Sequence, residues 1–546
     1  MLGSLLPRFK KFTTTQKFKR YFPIFSITLL GFLIYSNTFF GSFHFDDELM
    51  LRHPNVANLS DAIKNLTHTR SMGYLSFSLN YFFHSREVLG YHLVNLAIHL
   101  TTAILVWQTS LLTFATPVMR KLKSFKHRYW LSLLVALVFV SHPLQTQAVT
   151  YIVQRLASLA TLFYILTLYC YILARLKKKI IYYLGVVIVG VLAFLTKEIT
   201  FTLPVAILTY EWFFFHRNKS FFKQAIVGII FAILMLIYVL SVYDPSYVFS
   251  TKIPNTGETV TAWTYFLTQS RVIVKYIQLL LVPIRQNLDY YFPLSHSPME
   301  ATTFLSFVFL ASVLGLAIKL YKKYRLLSFG IFWFFITLSI ESSIIPIKDA
   351  IFEHRLYLPM FGFALFLVGS CYQLARIFLG KNYFQKLIFV FSLIIVVYSG
   401  LTYRRNLVWR DEITLWTDIV NKAPQNARAH NNLGLALKLA GNFELAKIHY
   451  QKAIELDHDY IGPYNNLGNI IALEGDLDSA QDYYKKALIF DPERTEVRTN
   501  LGIVLFKDDQ FMEAITQFEK VLELEPDHKL AKKNLEITKF KILLEK

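Results

Sequence analysis

Four short clusters carry residue types that could do chemistry. The first is His44-Phe45-Asp46-Asp47-Glu48, which follows a long apolar run at once. Three adjacent acids beside a bilayer surface are costly to bring together unless they are solvated, protonated or used. The plain alternative is a solvated loop with an Asp as helix cap. The second is His142-Pro143-Leu144-Gln145-Thr146-Gln147, followed by Thr150, Tyr151 and Arg155. An interfacial turn with an aromatic belt would explain Tyr151. Arg155 enters an apolar helix and requires a partner there. The third, Lys197-Glu198, joins two apolar runs and is either a self-paired turn or a working pair. The fourth is Glu353-His354-Arg355-Leu356-Tyr357-Leu358-Pro359. It reads as an interface anchor, or as an anion site, since a guanidinium beside a His and aromatics suits an anion.

Several chemistries are absent from the pattern. There is no HExxH or other metal spacing, no P-loop and no GxSxG. No metal site and no nucleotide or other cofactor is expected. The two cysteines, Cys170 and Cys371, lie in apolar runs, which argues against a disulfide framework or a CxxC site. The net charge of +20 does not mark a nucleic-acid binder. Residues 421–546 hold 17 basic and 20 acidic side chains, so the whole excess lies upstream, in short clusters between apolar runs.

The elements that must position the four clusters are membrane helices. A hydrophobic fraction of 54% suits a polytopic membrane protein. A span needs about 20 apolar residues. Eleven runs qualify: 22–40, 91–115, 129–143, 153–174, 180–196, 199–215, 222–242, 301–320, 326–345, 357–376 and 386–403. The first follows Arg8, Lys10, Lys11, Lys17, Lys19 and Arg20, lacks a small-residue cleavage site, and reads as an uncleaved helix. Basic clusters at the N-terminus, 120–128, 175–179, 217–223, 319–325 and 376–386 all fall inside if the N-terminus is cytoplasmic. An odd span count then puts the C-terminus outside. The segment 263–283 contains Arg271, Lys275 and Gln278 and is read as an interfacial or re-entrant helix. With this topology, 16 of the 17 acidic residues before 421 lie outside, and only Glu211 lies inside.

The C-terminal part repeats. Asn432-Leu433-Gly434, Asn466-Leu467-Gly468 and Asn500-Leu501-Gly502 recur every 34 residues, and Asn534-Leu535 continues the register. Pro492 and Pro526 keep the spacing, and Ala453 and Ala487 recur where two helices approach closely. This is the tetratricopeptide (TPR) period. Each repeat is a helix pair that buries its apolar face by stacking on its neighbours. The segment 411–421, with Trp416, reads as a leading half-repeat. The expected organisation is all-α: a polytopic membrane helix bundle over 1–403 and an extracytoplasmic TPR α-solenoid over 404–546.

Taken together, GYHLVNLAIHL (90–100), HPLQTQAVTYIVQR (142–155), LTKE (195–198), EHRLYLP (353–359) and RNLVWRDEITLW (405–416), followed by TPRs, resemble the transmembrane-and-TPR O-mannosyltransferases and their bacterial relatives. The resemblance covers nearly the whole chain. It implies a GT-C glycosyltransferase fold, a polyprenyl-phosphate sugar donor and catalysis at the outer face. The sugar would be mannose or a similar hexose, and the acceptor a hydroxyl, on a protein Ser or Thr, held through the TPR array. HFDDE resembles the Asp-Glu of the first outer loop in protein O-mannosyltransferases, with Asp46 at the Asp and Asp47 at the Glu. Asp46 and Asp47 are therefore the candidate catalytic bases, acting in a single inverting displacement. The donor phosphate would be met by Arg155, Arg355, Lys197, Arg271 and His354. His44, Glu48, His142, Gln145, Glu198 and Glu353 complete the candidate site. Because a paired phosphate leaves easily, neither a general acid nor a metal is required.

Two other classes compete. A membrane-tethered TPR scaffold explains the repeats but not sixteen outward acids or Arg155 within a span. A transporter predicts polar residues at mid-membrane, whereas here they crowd one side.

Overall fold

The computed structural model describes residues 16–67, 69–215, 250–252 and 259–544. The expected span 222–242, the whole basic cluster 217–223, the first N-terminal basic residues, Asp244 and Glu258 lie outside them. The described chain is almost wholly α-helical, with one two-stranded ladder, Ser250–Lys252 with Thr259–Thr261. It divides into two compact units. The first comprises residues 1–251, 260–288 and 292–411; the second comprises 252–259, 289–291 and 412–546.

Among the described residues of the first unit, six helices are long and apolar enough to cross a membrane: Lys17–Phe40, Val88–Phe114, Ile152–Lys177, Ala301–Leu320, Pro359–Phe378 and Gly380–Leu407. A seventh candidate is broken. Lys123–Ser141 and Pro143–Val149 pass the same test only as a pair, bent by 52°. Other expected spans are shorter than their apolar runs. Ile180–Phe194 and Arg325–Leu338 have 15 and 14 residues, and the run 199–215 divides into a short turn and the helix Leu203–Phe214. Ala262–Leu281 is a 20-residue helix that does not meet the apolar criterion. The segment after the first membrane helix is itself helical, with Asp47–Arg52, Pro54–Ala57, Leu59–Lys64 and Ser71–His84, which the apolar pattern does not reveal.

Close packing is set by small residues. A Cβ on Gly330 would sit 2.5 Å from the Gly362 carbonyl oxygen, so Arg325–Leu338 and Pro359–Phe378 cross backbone to backbone. Glu211 is clamped by Arg175 at 2.6 and 2.9 Å and takes the Tyr171 hydroxyl at 2.7 Å.

The second unit is a run of antiparallel helix pairs. Glu412–Lys422 leads into Ala427–Leu439/Phe443–Leu456, Ile461–Glu474/Leu477–Phe490 and Thr495–Lys507/Phe511–Leu524, and Lys529–Leu544 closes the array. The 34-residue register follows from packing. Gly434, Gly468 and Gly502 each face an aromatic ring one helix on, Tyr450, Tyr484 and Phe518, that a Cβ would meet at 2.6–2.8 Å. Ala446, Ala480 and Ala514 are fully buried at the same repeat positions. Adjacent repeats are tied by Asn466 to Asn431 at 3.1 Å and by Asn500 to Asn465 at 2.9 Å.

Candidate functional site

The site is organised by the segment 142–155. Pro143 cannot continue a helix, and the residue before it is forced extended, as His142 is at ψ 128°. The chain therefore advances through short turns, Pro143–Gln145, Thr146–Val149 and Ile152–Gln154, before Arg155 opens the next long helix. His142 stabilises the break: its Nδ1 accepts the Leu144 N–H at 3.3 Å and its Nε2 lies 3.0 Å from the Leu280 carbonyl. Its role is to build the turn, and it is fully buried.

The loop that follows the first membrane helix lies against this segment. The buried Asp47 carboxylate accepts the Val153 N–H at 2.7 Å and the His44 N–H at 2.9 Å, one on each oxygen. His44 bonds through Nε2 to the Trp409 carbonyl at 2.7 Å. Tyr151 stacks on Trp409, with centroids 5.3 Å apart, and its hydroxyl accepts the Asp46 N–H at 3.1 Å. Asp46 stands at the N-cap position of Asp47–Arg52, yet its side chain makes no capping bond, so the helix-cap alternative does not describe it. Phe45, just before it, has φ +48°, a left-handed conformation that a bulky side chain rarely adopts. Glu48 stands apart, in an exposed pair with Arg86 at 3.2 Å.

Electrostatics separate the two Asp residues. Burial drives Asp47 up to about 7, against the pull of the two amides and His44, while neighbouring Asp46 pushes in the same direction as burial. Asp46 is only partly buried.

A second cluster lies on the other side of 142–155. Glu353 accepts the Asn287 N–H at 2.7 Å and the Gln286 carboxamide at 2.9 Å. Gln286 also reaches the Pro143 carbonyl at 3.0 Å. The His354 N–H donates to Gln147 at 2.6 Å. Burial, with the Lys197 and Arg355 charges nearby, holds the His354 imidazole well below its ordinary range, so it is neutral at pH 7. Its Nδ1 and both polar atoms of the Gln145 carboxamide are buried without a hydrogen-bond partner.

The five residues expected at the donor phosphate divide. Arg155 is 0% exposed. It donates to Asn95 at 2.6 Å, Asn80 at 2.7 Å and the Ser76 and Tyr91 carbonyls at 3.1 Å. Arg355 spends its donors on the Asp349 and Ala350 carbonyls, at 2.8 and 2.9 Å. Lys197 is paired with Glu341 at 2.8 Å, not with Glu198. Glu198 takes Arg70 in a two-point pair at 3.0 and 3.3 Å. Burial alone would raise its carboxyl, and Arg70 outweighs this and holds it below the usual range. The self-paired Lys197-Glu198 turn is thereby corrected: each charge reaches a distant partner. Arg271 is half-buried, lies over the Phe292 ring at 5.1 Å and donates to the Pro293 carbonyl at 3.2 Å. Of the five it has the most accessible guanidinium or amine. Phe45, Asn95, Tyr151, Gln147, Glu341 and Trp409 shape these clusters as much as the expected residues do. Among the described residues, no group of three or more His, Cys, Asp or Glu could hold a metal ion.

The tetratricopeptide-repeat family model matches residues 427–460 and 472–535. A solved structure, the Arabidopsis OM64 TPR domain, is 21% identical, covers 21% of this chain and 95% of its own, and has a TM-score of 0.21. A protein O-mannosyl-transferase of Caenorhabditis elegans is 25% identical over 79% of this chain and 62% of its own. TMTC3 of Homo sapiens is 24% identical over 79% and 51%, and Tmtc3 of Drosophila melanogaster 24% over 72% and 49%. The chain thus spans about half to three fifths of the length of these relatives. The chain is thus similar along most of its length to TMTC protein O-mannosyl-transferases and carries TPR repeats at its C-terminal end.

Proposed function

We propose that the chain is a GT-C-type membrane glycosyltransferase that moves mannose, or a similar hexose, from a polyprenyl-phosphate donor to a protein Ser or Thr hydroxyl. The observation that carries this reading is Asp46: a partly buried carboxylate that caps no helix, beside a buried Tyr151 and at the end of the first membrane helix. A lipid-linked phosphate lies in the headgroup plane, which a carboxylate at a helix end can reach. In the reaction the Asp46 carboxylate takes the acceptor hydroxyl proton. The acceptor oxygen attacks C1 from the face opposite the phosphate. The C1–O bond to phosphate breaks, its electron pair leaves on the polyprenyl phosphate, and the anomeric centre inverts. Arg271 is the side chain best exposed to meet the phosphate charge.

The proposed orientation has a cytoplasmic N-terminus and an extracytoplasmic site and TPR array, with the array recruiting the protein acceptor. The test is direct. Purified full-length chain, given polyprenyl-phosphate mannose and a Ser/Thr peptide, should yield a mannosylated peptide of inverted anomeric configuration. No transfer to peptide, with peptide still bound, would favour the scaffold.

A further inference from the structure

We propose that Asp47 is a positioning residue, not a second base: it clasps the His44 and Val153 amides and so fixes the adjacent Asp46 for proton transfer. This rests on the reading of Asp46 as base given above. Three observations carry it. Each Asp47 oxygen is already committed, to Val153 N–H at 2.7 Å and His44 N–H at 2.9 Å, and the side chain is 2% exposed. An acceptor hydroxyl cannot reach it without breaking the clasp. The clasp spans a strained residue, since Phe45 sits at φ +48° between His44 and Asp46. Left-handed backbone at a bulky residue persists only where its surroundings over-determine it. Here they do so from three sides: Asp47 holds the His44 amide, the Trp409 carbonyl holds the His44 ring, and the Tyr151 hydroxyl holds the Asp46 amide. Finally, Tyr151 and Val153 both belong to the 142–155 segment, so the clasp registers the loop bearing Asp46 on the turns that build the rest of the site.

The charged and titratable groups around Asp47 are His44 and Asp46 on its own loop, Tyr151, and the buried Arg155. His92 faces His44 from the Val88–Phe114 helix. A misplacement of 1 Å in a reacting group costs up to about 100-fold in rate.

The experiment compares wild type, Asp47→Asn and Asp46→Ala in purified full-length chain. In Asp47→Asn, one amide loses its acceptor and meets an NH2 group instead. Turnover should fall about 10- to 100-fold with donor affinity unchanged. The acid limb of the turnover–pH profile should remain, because Asp46 is still the base. Formate should restore Asp46→Ala by replacing the missing base and should not restore Asp47→Asn. Amide hydrogen exchange over 43–48 and 151–155 should quicken in Asp47→Asn whether or not the chain transfers sugar, which separates failure of the clasp from failure of the glycosyltransferase reading. Unchanged exchange overturns the clasp. So does loss of the acid limb in Asp47→Asn, or formate rescue of it, since Asp47 would then be the base.

Discussion

The Arg155 guanidinium donates to the Asn95 carboxamide oxygen at 2.6 Å, and all its other partners are neutral too. It is a buried cation braced by two asparagines and two carbonyls, stacked over Phe77 at 4.3 Å. Truncating it takes the guanidinium donor from the buried Asn95 and Asn80 oxygens and opens a void beside them. Arg155→Ala is expected to cost on the order of 3–5 kcal/mol of stability. Thermal unfolding in detergent checks this. A variant that unfolds like wild type but has lost donor binding would return Arg155 to the phosphate site.

Lys197 and Glu341 form a largely buried pair at 2.8 Å. Removing one partner strands the other, at about 3–5 kcal/mol, whereas replacing both is far milder. Lys197→Met and Glu341→Gln should each lower the melting temperature, and the double variant should recover most of the loss. If Lys197→Met is as stable as wild type and binds donor poorly, the lysine meets the phosphate instead.

Asp47 sets a pH dependence of stability. Its folded pKa is raised to about 7, above the ordinary carboxylate value near 4. The folded state therefore holds a proton that the unfolded state has released. The stabilisation is fully present below about pH 4 and is lost as pH rises through about 7. The melting-temperature difference between wild type and Asp47→Asn should therefore shift against wild type between pH 5 and pH 8. A constant difference would contradict the raised pKa.

The TPR array is expected to act on the acceptor and not on the bond. Removing residues 412–546 should lower transfer to folded protein acceptors far more than transfer to a short peptide, and leave donor affinity unchanged. Equal loss of donor binding in a well-folded truncation would contradict this role.

What was legible in the sequence follows from how local the physics is. The TPR register could be read because its glycines and alanines recur wherever a ring or helix must come close, as Gly434 does to Tyr450. The need of Arg155 for a partner was legible from its apolar helix. The partners were not, because they are neutral and lie 60 to 79 residues away in sequence. The same blindness left a self-paired Lys197-Glu198 turn open as one reading, where the fold supplies Glu341 and Arg70. An apolar run also fixes composition but not helix length. The helix of the run 129–143 ends at Ser141 and the chain bends by 52° into Pro143–Val149, and the run 326–345 stops being helical at Leu338. The strain at Phe45 left no mark in its residue type, since glycine or asparagine would be the usual choice at such a φ.

The account stands most directly on Asp46. The decisive measurement is single-turnover mannosyl transfer by Asp46→Asn in folded, full-length chain with saturating polyprenyl-phosphate mannose. Loss of the base should slow transfer at least about 100-fold while donor affinity stays near wild type. Transfer at the wild-type rate would contradict the account, and Glu198 and Glu353 would be the next carboxylates to test.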